Sequence, residues 1–304
     1  MRAPRRLAAF VAGAVLMAGG AACTSPKRTH IVVTTNILGN VVTEIVGDQA
    51  EVRVLMRPNT NPHSFAVSAR EAHTMQTADL VVYNGLGLEE GVLHHVEAAS
   101  SEGVPTVEVG ARIDPMDYRD GDSAGLPDPH FWTDPTRVVI AVRILTDEII
   151  THVNGVDADV VRWRAETYAN DVSELDAQLA ERFAGIPAKR RVLITDHHVL
   201  GYLADRYNLT VIGAIIPGGT ALASPSASDL DSLVTAITTH RVPAIFADTA
   251  QPARLTEVLA AEAGISVRII GLYPESLSDA DGDAASYLDM MRFNTEAIIG
   301  GLSG

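Results

Sequence analysis

Hydrophobic positions change their period several times along this chain, and the changes divide it into elements. From His30 the run HIVVTT is β-branched and continuous, as a strand buried on both faces would be. Ile37 to Val46 follows with helical spacing. EVRVLM from Glu51, DLVVYNGLG from Asp79 and Val104 to Val107 repeat the strand signal, and the second of these runs into a glycine-bearing turn. Strands alternating with helical stretches predict a parallel sheet covered by helices on both faces. A segment rich in Asp, Gly and Pro, DPMDYRDGDSAGLPDPH, then breaks the pattern.

From Thr136 to Val153 apolar residues recur at helical spacing. After the Asn154-Gly155 break a longer helical stretch runs from about Asp157 to Phe183, closed by Gly185 and Pro187. Its apolar stripe reads as Val160, Val161, Trp163, Tyr168, Val172, Leu175 and Leu179. A helix of that length spans about 40 Å, longer than one small lobe needs, and is expected to act as a strut. The alternation restarts with RVLITD from Arg191, LTVIGA from Leu209, VPAIFAD from Val242 and SVRIIG from Ser266. The expected fold is α/β: two α/β lobes with parallel sheets joined by one long helix. The expected divisions are a first lobe over residues 30–155, a linking helix over 156–187 and a second lobe over 188–304.

Composition narrows the class. The formal net charge of −15 over 304 residues argues against a nucleic-acid partner, which needs a basic stripe to displace counterions. At the N-terminus Arg2, Arg5 and Arg6 precede the apolar stretch Leu7 to Ala22, which ends at the only cysteine, Cys23. A basic start, an apolar middle and small residues before a cut describe an export signal over residues 1–22. The Ala21-Ala22-Cys23 ending resembles a bacterial lipobox, apart from Gly20 where an aliphatic residue is usual. That predicts lipid on Cys23, a tether over residues 23–29, and a protein held on the outer face of the cell membrane. One cysteine makes no internal disulfide, and no later apolar run reaches the roughly 20 residues of a membrane span.

Ten histidines are the main chemical resource. His63 in NTNPHSF and His130 in LPDPHFWTDP each follow a proline in a loop that succeeds a predicted strand, and His197 in TDHHVLGY follows another. In parallel α/β sheets ligands bind beyond the carboxyl ends of the strands, so all three fall where a lobe builds a site. They lie too far apart in sequence for a zinc finger or an HExxH helix. If they share an ion, separate loops of both lobes hold it. Imidazole suits zinc and its neighbours, whereas added carboxylate shifts preference toward manganese. Four protein ligands favour holding an ion over catalysis, because a catalytic zinc keeps a position open for water. His30, His73, His94, His95, His152 and His240 read as ordinary surface or hydrogen-bonding residues. Periodicity does not choose between His197 and His198.

The segments PNTNPHSFAVS, DLVVYNGLGLE, DPHFWTDP, HHVLGYLADRYNL and ESLSDADGDAASYLDMMRFN resemble those of the solute-binding proteins of zinc and manganese ABC importers. That lipoprotein family includes streptococcal-type surface adhesins, and the resemblance covers nearly the whole mature chain. It implies metal ligands at His63, His130 and His197; the family's H-x-A-F-G-Y pattern selects His197 over His198. The fourth ligand implied is Glu275, in YPESLS, where the family usually has aspartate. Asp279 and Asp248 are substitutes, although Asp248 aligns better with an acidic residue that orients a ligand imidazole. The resemblance further implies a monomer that buries Zn2+, with Mn2+ as the alternative, between its lobes, opens to a limited extent on release, and docks on an integral-membrane ABC permease. The histidine third ligand favours zinc. Against zinc, the stretch before DPHFWTDP lacks the histidines that many zinc members carry there. Two other readings compete. A secreted zinc-dependent hydrolase would use Glu275 or Asp248 as general base, but no hydrolase motif is present. A surface adhesin would leave the three histidines unexplained.

Overall fold

The computed structural model describes residues 29–303 except 120, 122, 217–225, 253 and 263–266. The first half forms strands β1 (His30–Val33), β2 (Glu51–Val54), β3 (Leu80–Tyr83) and β4 (Thr106–Glu108), all parallel, in the order β2-β1-β3-β4. The second half repeats the plan with β5 (Val192–His197), β6 (Thr210–Ile216), β7 (Ala244–Asp248) and β8 (Arg268–Leu272), in the order β6-β5-β7-β8. Each half is an α/β lobe with one four-stranded parallel sheet. The central strand β1 is buried along its whole length, which is why its sequence shows no polar alternation.

Helices cover the sheets: α1 (Asn36–Val46), α2 (Ala69–Gln76), α3 (Leu93–Ser101) and α4 (Pro135–His152) in the first half. Asp134 caps α4 by accepting from the Thr136 N–H at 2.8 Å, and Pro135 fills the first helical position, where no donor is needed. In the second half lie α6 (Gly201–Tyr207), α7 (Ala227–His240), α8 (Arg254–Glu262) and α9 (Tyr287–Leu302). Between the halves runs α5 (Ala158–Ala184), 27 residues long, which packs against α1, α4, α6 and α9.

The apolar part of the buried face of α5 is Val161, Ala165, Tyr168, Val172, Leu175, Leu179 and Phe183, spaced by three- and four-residue steps. Val160 and Trp163, expected in that stripe, are not part of it: Trp163 is 64 % exposed. Two residues past Val161, at about 100° per residue, Trp163 points to the opposite side of the helix. The α5 stripe joins one hydrophobic core that continues from Ile31 and Leu80 of the first sheet to Leu193 and Phe246 of the second. Among the described residues no helix is long and apolar enough to cross a membrane. Residues 1–28, with the expected export signal and Cys23, lie outside the described residues.

Candidate metal centre

Four side chains from four separate loops or strand ends converge between the lobes. His63 lies in the loop after β2, where its backbone N–H donates to the Asn61 side chain at 2.7 Å. His130 opens a short 3-10 turn, Phe131–Thr133, that leads into α4. His197 is the last residue of β5, and Glu275 lies in the loop between β8 and α9. All four are buried: His130 and His197 are 0 % exposed, Glu275 1 % and His63 3 %.

Glu275 Oε1 lies 2.8 Å from His63 Nε2 and 3.2 Å from both His130 Nε2 and His197 Nε2. The Nε2 atoms of His63 and His130 are 3.3 Å apart. A tetrahedral shell with ligands about 2.0–2.1 Å from a central ion has edges of about 3.3 Å, so the observed spacings are those of a ligand shell. Within the cluster two buried atoms lack hydrogen-bond partners: His197 Nε2, which is misaligned with Glu275 although close to it, and Glu275 Oε2. Orphaned buried polar atoms cost about 1–3 kcal/mol each. Here both belong to the cluster, and a bound cation would satisfy them. Among the described residues no other group of His, Cys, Asp or Glu converges in this way.

Two imidazoles are aimed by aspartates. Asp128 Oδ1 lies 2.7 Å from His130 Nδ1 and also accepts the His130 backbone N–H at 2.9 Å. Asp196 Oδ1 holds His197 in the same manner, 3.0 Å from Nδ1 and 2.9 Å from the backbone nitrogen. A carboxylate only accepts, so Nδ1 carries a hydrogen, and Nε2 is the atom each ring can offer to an ion once any proton there has left. Asp248 stands one step behind Asp196. Thr195 of β5 pairs with Phe246 of β7, a register that sets Asp248 beside the end of β5. There its backbone N–H donates to Asp196 Oδ2 at 2.6 Å, while its own carboxylate turns to the Ala250 N–H at 2.8 Å. Asp248 therefore reaches the imidazole through Asp196 and not by direct contact. Asp279 is also not at the centre; it accepts from Asn59 Nδ2 at 3.0 Å. Asp128 and Asp196 went unread in the sequence, although each precedes its histidine by two or one residues, a local acid–histidine signal.

The surroundings set the charges. Burial is the largest influence on each of the four ligands. It lowers the pKa of His63, where it outweighs Glu275. At His130 burial is overcome by Asp128 and Glu275, and the pKa is raised. At His197 Glu275 and Asp196 overcome it, and the pKa is raised well above the usual value. Glu275 would be pushed up by burial, but His197, His130 and His63 together hold it well below the usual carboxylate range. Asp248 is pushed up to about 8, by burial first and then by Glu275 and Asp196. The metal-free centre thus favours an ionised Glu275 and the protonated forms of His130 and His197, but not that of His63. Trp132 closes one side, its ring centroid 5.4 Å from that of His130 and its indole N–H donating to Pro274 O at 2.7 Å. The turn at Asn84–Glu89 forms a floor below His130. The Glu89 carboxylate accepts from the Thr34 hydroxyl at 2.6 Å and the Asn84 N–H at 2.7 Å, and Asn84 Nδ2 donates to Pro129 O at 3.1 Å. Gly85 in that turn has φ +80°, and a Cβ there would meet Glu108 at 2.1 Å, so the turn requires glycine.

Residues 31–301 match the family described as zinc-uptake complex component A, periplasmic. The chain belongs to this family. Its described role is that of a periplasmic component of a metal uptake complex. The iron-binding protein YfeA of Yersinia pestis is 26 % identical over 275 residues, covering 90 % of this chain and 86 % of that one. The manganese-binding lipoprotein MntA of Halalkalibacterium halodurans is 26 % identical over 274 residues, covering 90 % and 88 %. Among solved structures, the periplasmic zinc-binding protein TroA of Treponema pallidum superposes with a TM-score of 0.83 at 26 % identity, over 90 % of this chain and 99 % of that one. The metals in these three names differ, so within the zinc-uptake family the ion has to be argued from this chain's own ligands.

Proposed function

We propose that this protein is the extracytoplasmic metal-capture component of an ABC importer, and that His63, His130, His197 and Glu275 together hold one Zn2+ as cargo. The carrying observation is a buried set of three imidazole nitrogens around one carboxylate oxygen, each nitrogen 2.8–3.2 Å from Glu275 Oε1 and all four atoms within 4.8 Å of one another. Three nitrogen donors to one oxygen suit zinc better than manganese. Glu275 Oε2 leaves room for a bidentate carboxylate, the arrangement by which the same shell would take Mn2+. All four ligands are buried, which supports carriage over hydrolysis, since a hydrolytic zinc needs an open position for water and substrate. The release partner in this reading is an integral-membrane permease. Lipid on Cys23 would keep the monomeric carrier near it. Incorporation of labelled lipid that is lost in Cys23→Ala tests the anchor; equal labelling of both would refute it.

The ion itself is tested by titrating the purified mature protein. Trp132 is positioned to report binding, because its ring packs on His130 and its N–H bonds the residue before Glu275. Trp163→Phe removes the only other tryptophan, an exposed one. Zinc is expected to change the Trp132 emission with an end point at one equivalent and to resist a hundredfold excess of manganese. Glu275→Ala is expected to weaken the site about a hundredfold. Tight manganese with weak zinc would reassign the ion, and no end point for either would refute the capture reading.

A further inference from the structure

Glu275 follows β8 and belongs by sequence to the second lobe, yet its segment is bonded to the first. Trp132 Nε1 donates to Pro274 O, the Thr60 N–H donates to Ser276 Oγ at 3.2 Å, and the Asn59 N–H donates to Leu277 O at 3.0 Å. Asn36, at the start of α1, sits in the middle of this seam and is 7 % exposed. Its Nδ2 donates to Ser276 Oγ at 2.8 Å and to Arg57 O at 3.1 Å, and its Oδ1 accepts the Leu277 N–H at 3.0 Å. From Pro274 to Leu277, among the described residues, the one hydrogen bond that stays within the second half is from Ser276 Oγ to Leu277 O. Glu275 itself bonds His63 and His130 but is misaligned for a hydrogen bond to His197.

We propose that Asn36 is a positioning residue for Glu275: it ties the carboxylate ligand to the first lobe, so that the site divides into His63, His130 and Glu275 on one side and His197 alone on the other. The inference rests on the metal-capture reading. An amide is suited to the task because it donates and accepts at once. Asn36 grips the backbone of Leu277 and the hydroxyl of Ser276 together, and so fixes both the position and the direction of the segment next to Glu275. His197 is held from elsewhere, by Asp196 on β5 and through it by β7. A separation of the lobes that frees the ion would then withdraw one imidazole and leave a three-ligand half-site with the first lobe.

The test is a double-mutant cycle on zinc affinity, read by competition with a chromogenic chelator. Asn36→Ala is expected to weaken zinc about tenfold or more, the usual cost of removing an outer hydrogen-bond partner of a ligand. In the Glu275→Ala background the same change should cost less than about twofold, because the ligand that Asn36 positions is already gone. In the His197→Ala background it should keep its full effect. Ser276→Ala removes the other end of the same tie and should repeat the pattern, which covers the case that Asn36→Ala fails to fold. Equal effects in all backgrounds would show a merely structural role and overturn the proposal. Absence of zinc binding in the unmodified protein would refute the capture reading first and is seen before any variant is made.

Discussion

Replacing His130 with alanine is expected to lower zinc affinity by about 10²–10³-fold while leaving the fold intact. Small four-ligand zinc sites contribute about 10–16 kcal/mol in all, so one ligand accounts for about 3–4 kcal/mol, or two to three powers of ten in affinity. His130 should stand at the upper end of that range. It is fully buried, so no water reaches in easily to replace it, and its loss also strands the Asp128 carboxylate that bonds its Nδ1. The backbone around it is held by other means. Asn84 Nδ2 grips Pro129 O, and Tyr202 donates its hydroxyl hydrogen to Asp128 O at 3.0 Å. Chelator competition alongside circular dichroism checks both halves of this expectation. An affinity within about threefold of the unmodified protein, less than 1 kcal/mol, would remove His130 from the ligand set.

Acid is expected to release the ion steeply. In the metal-free centre His130 and His197 hold their protons more tightly than free imidazole, whereas His63 holds its proton less tightly. An incoming cation must displace the protons of the first two wherever pH lies below their raised values, and each displaced proton costs about tenfold in apparent affinity per pH unit. Affinity should therefore fall by about a hundredfold per unit as pH drops below the raised values, with His63 adding to the slope only under more acid conditions. The sign reverses for the metal-free fold. A raised histidine pKa stabilises the fold below the unfolded value near 6.5, and that contribution is lost as pH rises through the folded value. Zinc titrations at pH 8, 7 and 6, with proton release followed in weak buffer, check the coupling. An affinity unchanged across that range would show that the imidazoles are not the ligands.

Much of this was legible in the chain because the signals are local. The β-branched runs at His30 and Asp79 and the periodic stretch from Asp157 become β1, β3 and α5 within a few residues of where their patterns start and stop. Position after a strand set His63, His130 and the His197-His198 pair apart from the other histidines, and the family's sequence pattern was needed to choose His197 over His198. What stayed hidden was set by partners far away in sequence. Asn36 and Ser276 are 240 residues apart, and nothing in the helical pattern of α1 distinguishes an asparagine that clasps another lobe from one that meets water. The contacts of Asp248 were hidden for a related reason: only the register of β7 on β5 sets its backbone N–H on Asp196, the residue that bonds His197. Trp163 was read into the stripe on hydrophobicity alone, where the angular position should have overruled composition.

The unbroken apolar core along α5 bears on how the protein comes apart. Two lobes with separate sheets suggest two melting units, yet Phe183 near the end of α5 stacks on Tyr207 of α6 at 4.8 Å, and Val161 near its start belongs to the same cluster. Stripping either lobe from the helix would expose a long apolar face to water, at a cost of about 25 cal/mol for every Å² uncovered. Neither lobe has a native-like intermediate to retreat to while α5 keeps its stripe covered on one side only. Thermal unfolding of this two-lobed molecule is therefore expected to show one transition, and two separate transitions by calorimetry would refute that expectation.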